Sequence, residues 1–245
     1  MHQFAGVEPD VSAHAALPKY IQVSEMLIRE IAAGHLQDGA RLPPEREMAA
    51  ALEISVGTLR KALGDLAEKG MLARVQGSGN YVRQGPATAA IYAFFRLELL
   101  SGAGLPTAQV LCVDRMRKDA ALPTFGTSAE AHRIRRLRSL GTTQVALEEI
   151  WLDGDACPVI TREDLNDSLY HFYRNALGIV IASVVDEIGV APVPDWAAGA
   201  FHLAPGDLAG YIARVSTDGS GCRVETSRTW FDYSKARYVS RMGKG

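Results

Sequence analysis

Two short helix-forming segments around a three-residue turn, within residues 42–66, constrain the fold of this chain more than any other feature of its sequence. The proline pair at 43–44 suits a helix start, because proline lacks the N–H group that would have no partner there. Ser55 suits the N-cap of the second segment. One face of that segment is apolar and consists of Leu59, Leu63 and Leu66. Their i, i+4 and i+7 spacing predicts a helix packed against a core, and the whole pattern predicts a helix-turn-helix.

A second face of the later segment combines two glycines with two long cations, namely Gly57, Arg60, Lys61 and Gly64. Because glycine has no side chain, such a face can approach a negatively charged surface closely. DNA phosphates and guanine edges are surfaces of that kind. The alternative interpretation is an ordinary solvated helix face.

The residues after this helix favour DNA over a solvated face. Gly70 suits a helix end, and the strand-like stretches 71–75 and 80–83 flank a glycine-rich turn at 76–79. They predict a β-hairpin. A hairpin placed directly after the second helix of a helix-turn-helix is a wing, so this part of the chain is predicted to bind double-stranded DNA.

Residues 17–83 resemble the winged helix-turn-helix domain of the GntR family of bacterial transcription regulators. The shared motifs, in chain order, are Tyr20-Ile21-Gln22, Leu42-Pro43, Glu45-Arg46-Glu47-Met48-Ala49, Ser55, Thr58-Leu59-Arg60-Lys61-Ala62-Leu63, Leu66, Gly70 and Gly77-Ser78-Gly79-Asn80-Tyr81-Val82. The series in this order is specific, although no single motif is.

The resemblance implies which residues contact DNA. Arg46 and Arg60 would contact base edges or phosphates in the major groove. Ser55 and Thr58 would contact phosphates, and Gly77 would bring the backbone of the wing to the minor groove.

The cationic helix face adds Lys61 as a further expected DNA contact. Two positions depart from the family pattern: many relatives carry Ser where Pro44 stands and Arg where Val56 stands. Val56 offers an apolar contact, for example to a thymine methyl group, in place of a donor. The operator is therefore expected to differ from those typical of the family.

Length and composition predict two folded domains. The chain has 245 residues, of which 47% are hydrophobic and 22% charged, and its net charge is only −2. The positive charge is local: residues 54–83 hold five Lys or Arg residues against two Asp or Glu residues, an excess of three. So modest an excess predicts that two copies bind DNA side by side, as a homodimer.

Neither a transmembrane run nor a signal peptide is recognisable, so a cytoplasmic location is expected. The three cysteines, Cys112, Cys157 and Cys222, are too far apart for a metal pair and odd in number. No metal site and no cofactor are expected.

The predicted organisation is a loose tail at 1–16, the winged domain at 17–83, a linker at 84–90 and a second domain at 91–245. Alternating patterns in the second domain predict strands at 108–117, 132–139, 144–152, 208–216 and 223–231. Helical patterns are assigned at 162–176, 179–187 and 196–201. Without regular alternation of strand and helix, an α+β domain on an antiparallel sheet is predicted.

Two of these strands carry the candidate site. A period of two places Arg136 and Arg138 on one face, where two guanidinium groups can converge on one anion, with Leu137 on the other. Glu148 shares a face with apolar neighbours and therefore needs a partner. An internal Arg-Glu salt bridge and a ligand site explain these residues equally well, and Glu225 raises the same question.

About residues 91–240 resemble the UTRA effector-binding domain of the HutC branch of the GntR family, which has a chorismate-lyase-like fold. The shared motifs are Arg136-Leu137-Arg138, Ala146-Leu147-Glu148, Asp167-Ser168-Leu169-Tyr170, Val224-Glu225-Thr226-Ser227-Arg228 and Arg237-Tyr238. The resemblance implies that two groups of residues bind the effector. An anionic group would be held by Arg136, Arg138 and Ser168. Hydroxyl or amine groups would meet Glu148, Tyr170 and Glu225.

One departure concerns Phe231, which stands where relatives usually carry a tyrosine whose hydroxyl could bind ligand. The effector is therefore expected to differ chemically from the sugar phosphates that some relatives sense. Sugar phosphates, phosphonates and carboxylates all have the expected negative charge.

The expected function is that of a homodimeric, ligand-responsive DNA-binding regulator, a repressor in the first instance. A chorismate-lyase-like enzyme domain fused to a DNA-binding domain is the alternative, since paired Arg with Glu could bind a dicarboxylate. A third class is a constitutive DNA-binding protein that has no ligand.

Overall fold

A computed structural model describes residues 18–32, 35–83, 94–101, 106–165 and 168–240. The predicted tail at 1–16 and the predicted linker at 84–90 lie outside the described residues. None of the described helices is long and apolar enough to cross a membrane.

The N-terminal part forms three helices and a hairpin, and the predicted helix-turn-helix is confirmed. Its elements are α1 (Lys19–Ala32), α2 (Glu45–Ala51), α3 (Val56–Glu68), β1 (Leu72–Val75) and β2 (Gly79–Val82). Ser55 caps α3, because its hydroxyl oxygen accepts a hydrogen bond from the Thr58 N–H at 3.1 Å. The apolar face of α3 is fully buried against α1.

The hairpin is the predicted wing. β1 and β2 pair antiparallel, and Gly77 in the turn has φ +74°, a conformation that favours glycine. Arg41 adds an isolated bridge to Tyr81, so the segment before α2 runs along the hairpin.

The C-terminal part is built on an antiparallel sheet, which confirms the predicted α+β class. Its strands are β3 (Leu97–Leu99), β4 (Pro106–Arg117), β5 (Glu130–Leu140), β6 (Thr143–Asp153), β7 (Ile181–Pro192), β8 (Leu208–Asp218), β9 (Arg223–Phe231) and β10 (Ala236–Tyr238). Six of them form one sheet in the order β4-β5-β6-β9-β8-β7, and β3 pairs with β10. A short helix, α4 (Leu169–Phe172), precedes β7.

The two faces of the large sheet are packed against different segments of the chain. One face packs on α4 and on residues around Phe94, through Ile134, Ile150 and Leu152. The other face packs on residues 193–201, and Trp230 lies in that cluster. The predicted alternation therefore holds: Arg136 and Leu137 point to opposite faces of the sheet.

Two helix assignments were wrong and a third was only partly right. Residues 179–187 lie mostly in β7, where pairing with β8 overrides a helix-like spacing of apolar residues. Residues 196–201 contain only the end of a single 3₁₀ turn, Asp195–Ala197. Among the described residues of 162–176, helix is confined to α4 and the π-helical turn Tyr173–Leu177 that follows it.

Candidate functional sites

The predicted DNA-contacting residues lie on the exposed side of the winged domain. Arg46, Arg60 and Lys61 are exposed on α2 and α3, and Gly77 is exposed at the tip of the wing. The hydroxyl groups of Ser55 and Thr58 hydrogen-bond to each other at 2.8 Å at the start of α3.

Arg60 joins the three elements of this surface. Its Nε donates to Glu45 Oε2 of α2 at 2.6 Å, and its carbonyl oxygen accepts from Arg74 Nη2 of the wing at 3.1 Å. The hydrogen bond from Arg60 holds the pKa of the Glu45 carboxyl below its ordinary value, against the effect of burial. Because the Arg60 side chain is 67% exposed, the pair is weak, and the guanidinium can exchange Glu45 for a DNA group at little cost.

Arg74 is a residue of this surface that sequence reasoning missed. It lies in β1, exposed, and its guanidinium is 3.6 Å from the place that a Cβ on Gly64 would occupy. The spacing of cations on α3 does not indicate Arg74, because Arg74 reaches this surface from the hairpin. A Cβ at Gly64 would therefore be in ordinary van der Waals contact with the Arg74 guanidinium.

The first prediction concerns Arg60. Arg60→Ala should weaken binding to the specific operator by about 1–3 kcal/mol if the guanidinium contacts a base, with a smaller effect on random DNA. Fluorescence anisotropy on both DNAs measures this difference. Arg117→Ala, which removes an exposed cation from β4, controls for net charge. An equal loss of binding free energy on both DNAs would indicate that Arg60 contacts only phosphates.

The six residues predicted to bind an effector all line one pocket in the C-terminal part. Its floor is the face of the sheet that carries Arg136, Arg138, Glu148 and Glu225, and its cover includes Ser168 and Tyr170. Further lining residues are Glu25, Phe94, Phe95, Arg96, Leu97, Pro106, Ile150, Leu169, Ile212, Arg214, Ser227 and Thr229. The strand register places Arg136 opposite Glu148, and Glu148 opposite Thr229.

Two arginines share one glutamate on the pocket floor. Arg136 Nη2 donates to Glu148 Oε2 at 2.6 Å, and Arg138 Nε lies 3.8 Å from Glu148 Oε1. Burial alone would raise the pKa of Glu148, but the two guanidinium groups together hold it below its ordinary value. The two interpretations of the sequence, an internal salt bridge and a ligand site, are therefore compatible. The residues form a salt bridge, and the same residues line a pocket.

The guanidinium of Arg136 has donors to spare. Within the described residues, Nε and Nη1 of Arg136 are buried and have no hydrogen-bond partner. The guanidinium of Arg138 lies over the ring of Phe95 at 4.5 Å, which fixes its plane. Buried N–H groups of this kind are costly unless something accepts from them, and an oxyanion has the matching acceptors.

Glu225 lies in a buried hydrogen-bonded cluster with Ser216 and Tyr170. Its Oε1 accepts from Ser216 Oγ at 2.8 Å and from the Tyr170 hydroxyl at 3.2 Å. Burial raises the pKa of Glu225, and burial together with Glu225 raises the pKa of Tyr170. Ser168 caps α4, since its hydroxyl oxygen accepts from the His171 N–H at 3.4 Å, and it also lines the pocket.

Arg214 is a pocket residue that sequence reasoning missed. It makes a bidentate pair with Asp186, at 2.6 and 2.7 Å, and donates to the carbonyl of Phe94 at 2.6 Å. The predicted strand at 208–216 contained the signal, since a period of two puts Arg214 on the same face as Ile212. Phe231, in contrast, lies outside the pocket, in the core beside Ile212. Its missing hydroxyl therefore does not bear directly on this cavity.

A second prediction uses the pKa of Glu225. Because the folded protein holds the Glu225 proton more tightly than the unfolded chain does, stability from this group is fully present below the ordinary pKa of 4.5 and falls as the pH rises through the raised value. Glu225→Gln keeps an acceptor for Ser216 and Tyr170 and removes this loss. The variant should therefore gain stability relative to the parent as the pH rises above the ordinary pKa of 4.5. Urea unfolding at several pH values tests it, and parallel curves for both proteins would contradict it.

Known proteins match both parts of the chain. The family of bacterial regulatory proteins named gntR matches residues 19–82, and the UTRA domain matches residues 103–237. The HTH-type transcriptional regulator SmoD of Agrobacterium fabrum is 52% identical, over 93% of this chain and 97% of its own. The mannosyl-D-glycerate transport/metabolism system repressor MngR of Escherichia coli is 30% identical, over 70% of this chain and 73% of its own.

A solved structure shows the same fold. The crystal structure of YydK from Bacillus subtilis, described as a possible transcriptional regulator, superposes with a TM-score of 0.51 at 22% identity, covering 92% of this chain and 99% of that one. The order of domains, a winged helix-turn-helix followed by a UTRA domain, is that of the HutC branch. This chain is a transcriptional regulator rather than an enzyme, and it belongs to the GntR family of bacterial regulatory proteins.

Proposed function

We propose that this protein is a homodimeric repressor that binds a DNA operator and responds to a small anionic metabolite. Effector and operator would be linked through the populations of two arrangements of the protein. A coupling free energy of about 1–3 kcal/mol changes operator affinity roughly 5- to 150-fold. Repression is supported by MngR, whose name describes a repressor.

One observation carries the proposal for the effector: all six expected residues line a single pocket, on whose floor Arg136 and Arg138 both face Glu148. A pocket with spare guanidinium donors suits a phosphate, phosphonate, sulfonate or carboxylate group. Ser227 and Thr229, which also line it, offer hydroxyl groups to a polar remainder such as a sugar. MngR is named for mannosyl-D-glycerate, a sugar linked to a carboxylate, and the same combination of groups fits this pocket.

The experiment that tests the effector is a thermal-shift screen. Sugar phosphates, phosphonates, sugar sulfonates and sugar carboxylates are added to the full-length protein, and a hit should raise the midpoint of unfolding. The operator is identified by selecting bound duplexes from a random pool, and its affinity is then measured with and without the hit. If no compound raises the midpoint, the protein is a constitutive DNA-binding protein. If no duplex is enriched, the repressor proposal fails.

The homodimer is supported by β7. It forms one edge of the large sheet, and within the described residues no further strand pairs with its outer side. It also exposes apolar side chains, among them Val185 at 65% and Val190 at 66%. Long exposed apolar edges are usually covered, and a second copy of the chain would cover this one. It would also supply the second recognition helix that a palindromic operator needs.

A third prediction concerns this edge. Val190→Lys should convert a dimer into a monomer, because a charge in the centre of an apolar interface is left without a partner. Sedimentation equilibrium measures the change. Val159→Lys alters a valine of similar exposure outside the large sheet and should leave the dimer intact. A parent protein that sediments as a monomer, or a Val190→Lys protein that remains dimeric, would place the interface elsewhere.

A further inference from the structure

The wing has two faces, of which one turns toward α3 and the other away from it. Arg74 lies on the face toward α3, where its guanidinium donates to the Arg60 carbonyl. Successive residues of a strand point to opposite faces, and directly paired residues point to the same face. Tyr81 follows the partner of Arg74 in β2, so Tyr81 and Gly79 lie on the outer face. The bridge between Arg41 and Tyr81 places Arg41 on that outer face as well.

Arg41 is seated against the glycine at the end of the wing turn. Gly79 has φ +126°, a conformation that L side chains rarely adopt, and a Cβ built on it would lie 3.3 Å from Arg41 Nε. That distance is tighter than ordinary contact, so a side chain at this position would press on the guanidinium. The backbone is fixed at the same place, because the Leu42 N–H donates to the Asn80 carbonyl at 2.9 Å. The Arg41 side chain therefore starts from a rigid backbone and lies beside the turn.

The charge of Arg41 is not used inside the domain. The residue is exposed, and among the described residues its side chain makes no ion pair or hydrogen bond. This holds for Asp38 and Glu45, the carboxylates that flank it in the chain, and Glu45 pairs with Arg60 instead. The hairpin offers no carboxylate either, since residues 72–83 contain two arginines and neither Asp nor Glu. The wing is thus locally positive in a chain whose net charge is −2.

The outer face of the wing differs in position from the cations already described. Arg60 and Lys61 lie on α3, and Arg74 reaches toward α3, so these three belong to one side of the wing. A helix-turn-helix places its second helix in the major groove, and a hairpin beside that helix then lies along the sugar–phosphate backbone. Both strands of a duplex carry phosphates. A wing with cations on both faces fits between two rows of phosphates.

We propose that Arg41 binds a DNA phosphate on the outer side of the wing, in the position in which Gly79 seats it. The inference rests on the proposed function, because DNA is the partner, and it adds a contact that neither α3 nor the wing tip supplies. Arg60 must leave Glu45 before it contacts DNA, whereas Arg41 has no ion pair to break. A phosphate contact carries no sequence information, so Arg41 should contribute equally to binding of operator and of random DNA.

The test uses the full-length protein, the selected operator and a random-sequence duplex, with fluorescence anisotropy at several salt concentrations. Arg41→Ala should weaken binding to both duplexes by the same factor. It should also reduce the slope of log affinity against log salt concentration by about 1 for each protomer bound. Arg41→Lys keeps the charge and should keep the parent slope. Arg117→Ala, which removes an exposed cation from β4, is the control and should change neither quantity.

The outcomes separate a phosphate contact from a structural role. Because the Arg41 side chain is exposed, the midpoint of thermal unfolding of Arg41→Ala should match that of the parent. A parent-like salt slope in Arg41→Ala, a loss of affinity for the operator alone, or a loss that Arg41→Lys does not restore would overturn the proposal. If the parent protein binds neither duplex, the proposed repressor function itself fails, and this inference fails with it. A failure of this inference alone requires a parent protein that binds DNA, so the two failures are distinguishable.

Discussion

Glu148→Ala is expected to lower the free energy of unfolding by about 3–5 kcal/mol. The carboxylate lies between Arg136, at 2.6 Å, and Arg138, at 3.8 Å, and both guanidinium side chains are only 6% exposed. Without Glu148, two buried positive charges lie on the pocket floor without the carboxylate that both of them face. Repulsion and desolvation then act in the same direction.

Urea unfolding measures this loss, and two variants calibrate it. Glu148→Gln keeps an acceptor for Arg136 but removes the charge, so it should lie between the parent and Glu148→Ala. Glu130→Ala breaks the pair with Arg115, in which the Glu130 side chain is 51% exposed, and should cost no more than about 1 kcal/mol. If Glu148→Ala cost as little as Glu130→Ala, the pocket floor would be screened by water and not electrostatically strained.

A bound anion should reverse much of this loss. In the Glu148→Ala protein both arginines lack their shared carboxylate, so phosphate or the identified effector gains a stronger site. The midpoint of unfolding should therefore rise more steeply with anion concentration than in the parent. A structural salt bridge without a pocket would show no such dependence on anion concentration.

Local rules were enough to predict the winged helix-turn-helix and most of the sheet. Ser55 caps α3 as its position before an apolar periodic run indicates, and Gly77 sits in the turn of the wing with a positive φ. The alternation in β5 predicts that Arg136 and Arg138 lie on one face, and both line the pocket. These features depend on neighbours a few residues away, which a single sequence contains.

β7 was mistaken for a helix for a physical reason. Ile181, Val184, Val185 and Ile188 have the i, i+3, i+4 and i+7 spacing of an amphipathic helix. An edge strand with apolar residues exposed on both faces lacks the strict alternation that identifies a half-buried strand. The conformation of residues 181–192 is determined by their pairing with β8. That strand follows later in the chain, outside the segment whose spacing resembles a helix.

The pocket residues that were missed reach the site through long-range contacts. Glu25 occupies a helix whose pattern reads as an ordinary amphipathic segment, and nothing near it in sequence indicates that this helix meets a second domain. Arg214 approaches the carbonyl of Phe94, which is 120 residues away in the chain. The strands of the large sheet lie in the order β4-β5-β6-β9-β8-β7. Local periodicity does not predict this order, and so it does not predict which residues meet at the pocket.

Arg138→Ala is expected to abolish the response to effector while leaving the fold and the operator affinity in place. Truncating Arg138 leaves Glu148 paired with Arg136 at 2.6 Å, so no buried carboxylate is left unpaired. The stability loss should be limited to the contact with the Phe95 ring and some packing, about 1–2 kcal/mol. Effector affinity, in contrast, should fall about 30-fold or more, because a buried charged partner of the anion is removed.

Arg135→Ala is the matched control for this prediction. Arg135 lies on the same strand but on the opposite face, where it pairs with Glu149 at 2.7 Å and stacks on Trp196 at 4.6 Å. It should lose stability and keep its response to effector, the reverse of Arg138→Ala. The two variants are compared by thermal unfolding and by operator binding, each with and without the effector found in the screen. A normal effector response in Arg138→Ala would mean that the arginine pair serves the fold alone and that the anion binds elsewhere.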